Sequence, residues 1–179
     1  MRITGKIRII ETGIDVAPFL DELDKNKDLW QMVSKMEDVG GDKNPYRFLP
    51  LVMGIENSPG NIKNSDIHSK TPAYWQFPLM RKFLEERNAS EHSRAAFFKL
   101  APGGTVGGHI DDGSYYLNKD RYHFSLQGVY QYFCDGDWLE VQPGTFFWFD
   151  NKKEHWARNI SDVDRVTFVF DLKHSLTNP

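Results

Sequence analysis

The chain has 179 residues, of which 40% are hydrophobic and 14% aromatic, proportions typical of one folded domain and not of a disordered segment. Its net charge of −3 provides no basic surface for nucleic acid or for an anionic membrane. The single cysteine, Cys134, excludes an internal disulfide framework and a cysteine-type zinc site. The amino terminus lacks the apolar run of a signal peptide, so we expect a cytoplasmic protein without a membrane span.

The first 92 residues predict a mixed α/β region that supports the rest of the domain. Its predicted elements are, in chain order, a strand at Lys6–Ile10, a helix from Ala17 to the Gly40-Gly41 pair, a strand at Arg47–Ile55 and a helix from Thr71 to Arg87. Asp15 is the expected cap of the first helix, because a side-chain oxygen there accepts from a free backbone N–H. Pro78 is the expected position of a kink in the second helix.

From Ser93 onward, short apolar runs alternate with turn residues. The predicted strands are Ala95–Leu100, Thr105–His109, Tyr122–Gln127, Val129–Cys134, Trp138–Val141, Thr145–Phe149, His155–Ile160 and Arg165–Leu172. Strands at this spacing are typical of a sandwich or barrel. We therefore predict one mainly β domain over residues 1–179. Its core, at 93–172, is a double-stranded β-helix (jelly roll), with flanking N-terminal helices.

A metal site is predicted at His109, Asp111 and His155. His-x-Asp places two ligands on the same side of one strand, and a late strand of the jelly roll can deliver His155, which lies 46 residues after His109. Two histidines and one carboxylate with open positions form the arrangement of non-haem Fe(II) oxygenases. In the alternative interpretation His-x-Asp is accidental and His155 is a surface residue. Asp112 is not expected to be a ligand, because on a continuing strand it would point to the opposite face.

An anion site is predicted beside the metal. Arg165 opens the last predicted strand on its inward face, where a buried charge needs an anionic partner. A planar guanidinium suits the distal carboxylate of a keto-diacid such as 2-oxoglutarate. The alternative is an ion pair with Asp162 or Asp164. Arg121 and His123 share one face of another strand and are predicted to line the same pocket; otherwise they are a solvated arginine and a core histidine.

Further motifs lie between Phe97 and Lys173: Leu100-Ala-Pro-Gly103, Arg121-Tyr-His-Phe-Ser-Leu126, Gln142-Pro-Gly144, Phe149-Asp-Asn-Lys-Lys-Glu-His155, Asn159, and Arg165 followed by hydrophobic residues and Asp171. In this order they resemble the aspartyl/asparaginyl β-hydroxylase family. The resemblance implies a jelly-roll oxygenase that uses Fe(II), 2-oxoglutarate and O2. It implies His109 and His155 as metal ligands, with Arg165, Arg121 and His123 as co-substrate contacts. Some members lack the carboxylate ligand, and a serine that helps to hold the co-substrate corresponds here to Phe98.

We therefore predict an Fe(II)- and 2-oxoglutarate-dependent dioxygenase, an oxidoreductase that hydroxylates an amino-acid side chain. The substrate is a peptide or protein (at Asp, Asn or Pro) or a free amino acid. The alternative is a cupin-like, non-catalytic protein that binds a metal or a small acid, although a cupin has no need of Arg165 at its spacing from His155. A third interpretation is a metal-free structural or interaction domain. The sequence gives neither the hydroxylated atom nor the oligomeric state.

Overall fold

The computed structural model describes residues 5–32, 47–55, 62–87 and 93–173. Within these ranges the strands and α-helices are β1 (Ile7–Glu11), α1 (Ala17–Lys25), β2 (Arg47–Gly54), β3 (His68–Lys70), α2 (Pro78–Glu86), β4 (Ala95–Leu100), β5 (Thr105–His109), β6 (Lys119–Gln127), β7 (Tyr130–Cys134), β8 (Asp137–Val141), β9 (Phe146–Phe149), β10 (His155–Asn159) and β11 (Arg165–Lys173). Short 3₁₀ turns connect several of them. None of the helices in the described ranges has the length and apolar character needed to cross a membrane.

Two antiparallel sheets face each other. The larger sheet has the strand order β1-β9-β6-β11-β4-β2-β3, and the smaller has the order β5-β10-β7-β8. Strands that are distant in sequence are neighbours in both sheets, as in a jelly roll. This topology confirms the predicted fold class. Strands β1, β2 and β3 extend the larger sheet, so this sheet runs across the predicted boundary between residues 92 and 93, and that division stays a prediction.

Helices α1 and α2 cover the outer face of the larger sheet. Phe83 of α2 stacks on Phe124 of β6 with ring centroids 4.4 Å apart, and Phe168 and Phe170 of β11 belong to the same buried cluster. Aromatic side chains of this size supply most of the apolar area that stabilises such a layer. Because side chains alternate along a strand, the residues between these phenylalanines must point to the inner face.

The inner face carries polar residues at one part and an apolar cluster at the other. Tyr132, Phe147 and Phe149 lie in a second buried cluster, between the two sheets. The polar inward residues are Arg121 and His123 on β6 and Arg165 and Asp171 on β11. Together with the apolar Val169 of β11, they line one cavity. The inward position predicted for Arg165 is therefore present in the fold.

The N-terminal helices differ from their predicted lengths. Helix α1 ends at Lys25 and is followed by a 3₁₀ segment, Lys27–Met32, whereas the predicted end at Gly40-Gly41 lies outside the described residues. The second predicted helix is a 3₁₀ segment, Pro72–Gln76, followed by a separate helix that begins at Pro78. A proline lacks the N–H of a helix interior but fits the first helical position, so it starts a helix here. The N-cap residue of α1 is Val16 and not the predicted Asp15, which lies one residue earlier; the Asp15 carboxylate still accepts from the N–H of Ala17, 3.1 Å away.

Candidate metal centre and co-substrate pocket

His109 and His155 lie opposite each other on adjacent antiparallel strands, at the end of β5 and the start of β10. Their ring centroids are 4.3 Å apart. Each Nδ1 lies 2.8 Å from a backbone oxygen, that of Gly107 for His109 and that of Lys153 for His155. A carbonyl oxygen only accepts, so each Nδ1 carries the proton and each Nε2 keeps its lone pair. Both rings are thus oriented, in the tautomer that a metal needs.

Asp111 completes a cluster in which one ligand atom from each of His109, Asp111 and His155 lies within 4.8 Å of the others. Asp111 follows the end of β5, and its backbone N–H donates to the carbonyl of Asn151 at 3.1 Å. Asp112 points away, with its side chain 70% exposed and paired to Lys63 at 2.6 Å. The structure brings the three predicted ligands together and leaves Asp112 outside.

Burial keeps His155 neutral. Loss of solvent lowers the pKa of its imidazole to about 4, although the Asp111 carboxylate acts in the opposite direction. A neutral imidazole is the form that binds a metal. Two imidazoles and one carboxylate are a donor set that suits Fe(II), which accepts nitrogen and oxygen ligands together.

Arg165 lies in the same cavity, whose volume is about 560 Å³, and is 4% exposed. Its guanidinium lies over the Tyr130 ring, 4.0 Å from the centroid, and its Nε has no hydrogen-bond partner in the described part of the chain. Among the described residues no carboxylate comes within 4.0 Å of this guanidinium. Asp164 pairs with Lys99 instead, at 3.4 Å. The alternative of an ion pair with Asp162 or Asp164 is therefore absent from this part of the chain. A buried, unpaired guanidinium is costly, and an incoming anion removes that cost.

Three buried hydroxyl groups were not recognised from the sequence, and one of them belongs to the Tyr130 ring that lies under the Arg165 guanidinium. Among the described residues, the side-chain oxygens of Ser125, Tyr130 and Thr167 are buried without hydrogen-bond partners. Thr167 pairs with Ser125 across strands β11 and β6. Buried hydroxyls are nearly always satisfied, so these three groups are unusual, but none of the three residues lines the cavity. The signal in the sequence was the alternation of β11, which puts Thr167 on the same face as Arg165.

His123 is buried among the rings of Tyr132, Phe147 and Phe149, with centroid distances between 5.0 and 5.2 Å. Its Nδ1 has no hydrogen-bond partner. Loss of solvent, together with the positive charge of Arg165, holds the pKa of His123 well below its usual value. Its role as a co-substrate contact stays a prediction.

Arg121 lines the cavity as predicted but already has two carboxylate partners. Its Nε and Nη2 donate to Asp171 at 2.7 and 2.9 Å, and its Nη1 lies 2.8 Å from Asp111 Oδ2. Burial opposes the charge of this guanidinium, but the two carboxylates outweigh it and raise the pKa of Arg121. Its predicted contact with the co-substrate stays a prediction.

The cavity wall beyond Arg165 is apolar. Phe98 of β4 and Phe48 of β2 lie with ring centroids 5.2 Å apart, and both line the cavity. Phe98 stands where the resemblance places a serine that helps other family members to hold the co-substrate, so this chain has an apolar wall at that position.

A jelly roll with a His-Asp-His cluster in its interior defines a class that includes metal-dependent oxygenases. The fold is similar to that of an oxidoreductase of the 2OG-Fe(II) oxygenase family from Burkholderia pseudomallei, with a TM-score of 0.57, 12% identity, and 84% of this chain and 78% of that chain covered. The chain itself belongs to the aspartyl/asparaginyl β-hydroxylase family, whose sequence signature matches residues 22–175. This match confirms the resemblance that the motifs indicated.

Other solved structures are also similar. A predicted oxalate decarboxylase from Thermotoga maritima aligns with a TM-score of 0.47 and 14% identity, over 80% of this chain and 96% of that chain. A cupin 2 conserved barrel domain protein from Salinispora arenicola aligns with a TM-score of 0.37 and 15% identity, over 45% of this chain and 62% of that chain. No curated protein sequence matches the chain.

Proposed function

We propose that this protein is an Fe(II)- and 2-oxoglutarate-dependent dioxygenase that hydroxylates an amino-acid side chain. The substrate is a peptide or protein, at Asp, Asn or Pro, or a free amino acid. One observation carries the proposal: Arg165, 4% exposed and without a carboxylate partner among the described residues, shares a cavity with the His109, Asp111 and His155 cluster. A protein that binds only a metal has no use for this buried cation.

The assigned roles follow from the chemistry of each side chain. His109, His155 and Asp111 hold Fe(II), and Arg165 binds the distal carboxylate of 2-oxoglutarate as a charge-assisted pair. The Tyr130 ring supports the Arg165 guanidinium from one side, with the guanidinium carbon 4.0 Å from the ring centroid. His123 lines the same cavity and, as a neutral imidazole, contributes one hydrogen bond to the bound co-substrate.

Fe(II), when bound with 2-oxoglutarate and O2, supplies the oxidising chemistry that inserts hydroxyl into a C–H bond and yields succinate and CO2. The side chains of the protein hold the reactants in position and keep water out of the cavity. Phe48, Phe98 and Trp156 form apolar walls of the cavity, which exclude water from the reacting atoms. No side chain is required as a general base, because the reaction abstracts no proton from the substrate carbon.

The test is an anaerobic titration of the apo-protein with Fe(II) and then 2-oxoglutarate, followed by the visible charge-transfer band of the iron–keto-acid complex. The native chain should develop the band, and His109→Ala should lose it with the metal. Arg165→Met should keep Fe(II) binding but require at least about 100-fold more 2-oxoglutarate, since charge-assisted hydrogen bonds are worth about 1.5–3 kcal/mol each. Arg158→Met is the matched control, because Arg158 is exposed on β10.

If Fe(II) binds but 2-oxoglutarate gives no band, and Arg165→Met behaves like the native chain, the dioxygenase proposal is wrong and a cupin-like binding protein takes its place. When the band is present, O2-dependent formation of succinate is measured with two panels of candidates, free amino acids and short peptides that contain Asp, Asn or Pro. Stimulation by one panel alone decides between the two substrate classes.

A further inference from the structure

The two oxygens of the Asp111 carboxylate have different surroundings. Oδ2 lies 2.8 Å from Arg121 Nη1 and accepts from Asn151 Nδ2 at 3.2 Å. Oδ1 lies 3.9 Å from His109 Nε2, on the side of the histidines. Since Oδ2 has two donors already, only Oδ1 has its lone pairs directed to the metal cluster.

Arg121 is itself held in place from behind. Its Nε and Nη2 donate to the two oxygens of Asp171 at 2.7 and 2.9 Å, a paired geometry that fixes the plane of the guanidinium. Asp171 is fully buried and also accepts from the Tyr115 hydroxyl at 3.0 Å. A chain of contacts therefore runs from Tyr115 through Asp171 and Arg121 to Asp111.

We propose that Arg121 is a positioning residue for the metal ligand Asp111, held by Asp171 so that Asp111 offers Oδ1 alone as a one-oxygen ligand. The inference rests on the proposed function, because it assumes that Asp111 binds the metal. It gives Arg121 a role different from the co-substrate contact that the family resemblance implied.

Charge supports this assignment. Two carboxylates already surround the single positive charge of Arg121, so a third anion placed there would meet repulsion as well as attraction. Arg165, by contrast, has no carboxylate within 4.0 Å among the described residues, and its positive charge is available in full to a co-substrate. The two arginines of the cavity thus have separate tasks: Arg121 orients a ligand of the metal, and Arg165 binds the anion.

The test measures Mn(II) affinity of the full chain without co-substrate, from the paramagnetic resonance signal of free Mn(II). Arg121→Gln and Asp171→Asn should each raise the Mn(II) Kd about 10–100-fold, the range seen when a partner of a metal ligand is removed. Arg121→Lys should recover part of the affinity, because it keeps the charge but not the paired geometry. Arg158→Met, at an exposed arginine, should match the native chain.

Two further measurements separate positioning from other roles. In an Asp111→Ala background, Arg121→Gln should cause no additional loss of Mn(II) affinity, because the side chain it acts on is gone. The Kd for 2-oxoglutarate, measured with Mn(II) at saturation, should change less than about 3-fold in Arg121→Gln. Circular dichroism verifies that each variant folds. If Arg121→Gln does not fold, the same comparison is made with Asp171→Asn and Arg121→Lys.

An unchanged Mn(II) Kd in Arg121→Gln together with a large rise in the 2-oxoglutarate Kd would overturn the inference and make Arg121 a co-substrate contact; the proposed function would stand. An equal loss of Mn(II) affinity with and without Asp111 would also overturn it, since Arg121 would then act through the general fold. If the native chain binds neither Mn(II) nor Fe(II), the proposed function and this inference both fail; if it binds Fe(II) with the charge-transfer band but Arg121→Gln leaves the affinity for the metal unchanged, only this inference fails.

Discussion

At Arg165 the requirements of stability and of binding oppose each other. The side chain is 4% exposed, its Nε has no partner, and its favourable contact among the described residues is with the Tyr130 ring. Replacing a buried charge by an apolar side chain of similar length is often neutral or stabilising. The same change removes the anion site. An arginine at this position therefore suits the anion-binding role that we propose for it better than it suits the stability of the fold.

Arg165→Met should consequently leave the free energy of unfolding of the ligand-free protein within about 1 kcal/mol of the native value or above it. The additional stability that 2-oxoglutarate confers on the Mn(II)-loaded native chain should disappear. Urea unfolding with and without 2-oxoglutarate measures both quantities, and Arg158→Met is the control. A loss of about 3 kcal/mol or more in the ligand-free protein would mean that the guanidinium has an internal partner, contrary to this account.

The sequence predicted which residues lie at the candidate site better than it predicted the contacts that these residues make. Alternation along β11 is a local property, so the inward position of Arg165 followed from it. The partners of Arg121 did not follow, because Asp111 and Asp171 are brought to it by a loop and by pairing with a distant strand. The contact of the Tyr130 ring with Arg165 was also missed, since a tyrosine in an apolar strand has no local feature that distinguishes it from a core residue.

At the scale of elements, local patterns predicted the strands and failed at the ends of helices. The strands after Ser93 lie within a few residues of their predicted bounds, because turn residues mark both ends. Pro78 begins α2. The acceptor for the first N–H groups of this helix lies far away in the sequence. Glu22 of α1 accepts from the N–H groups of Leu79 and Met80 at 2.7 and 3.2 Å.

Glu22→Ala should therefore lower the free energy of unfolding by about 1–2 kcal/mol, the upper part of the range for a lost helix cap. Two N–H groups of α2 would be left without an acceptor in a site where Glu22 is 7% exposed. Urea unfolding measures the loss, and Asp21→Ala, at the exposed neighbouring position on α1, should change stability by less than about 0.5 kcal/mol. Equal effects of the two variants would show that the contact to α2 contributes nothing.

At the scale of the whole molecule, the two faces of the larger sheet differ: the outer face packs against the helices, and the inner face carries the candidate site. Phe170 points outward into the helix-covered core, and the next residue, Asp171, points inward to Arg121. The outer face is closed by apolar packing, whereas the inner face retains a cavity and unsatisfied polar groups. Changes on the two faces should therefore affect different measured quantities.

Phe83→Ala tests this separation. Phe83 stacks on Phe124 at 4.4 Å and meets Phe146 edge-on at 5.7 Å, so its removal leaves a cavity between α2 and the sheet. The free energy of unfolding should fall by about 3–5 kcal/mol, while the Mn(II) Kd of the folded protein stays within about 2-fold of the native value. Trp138→Ala is the control, because this aromatic side chain is 71% exposed and should cost less than about 0.5 kcal/mol. A weakened Mn(II) site in folded Phe83→Ala would instead mean that packing on the outer face sets the ligand geometry on the inner one.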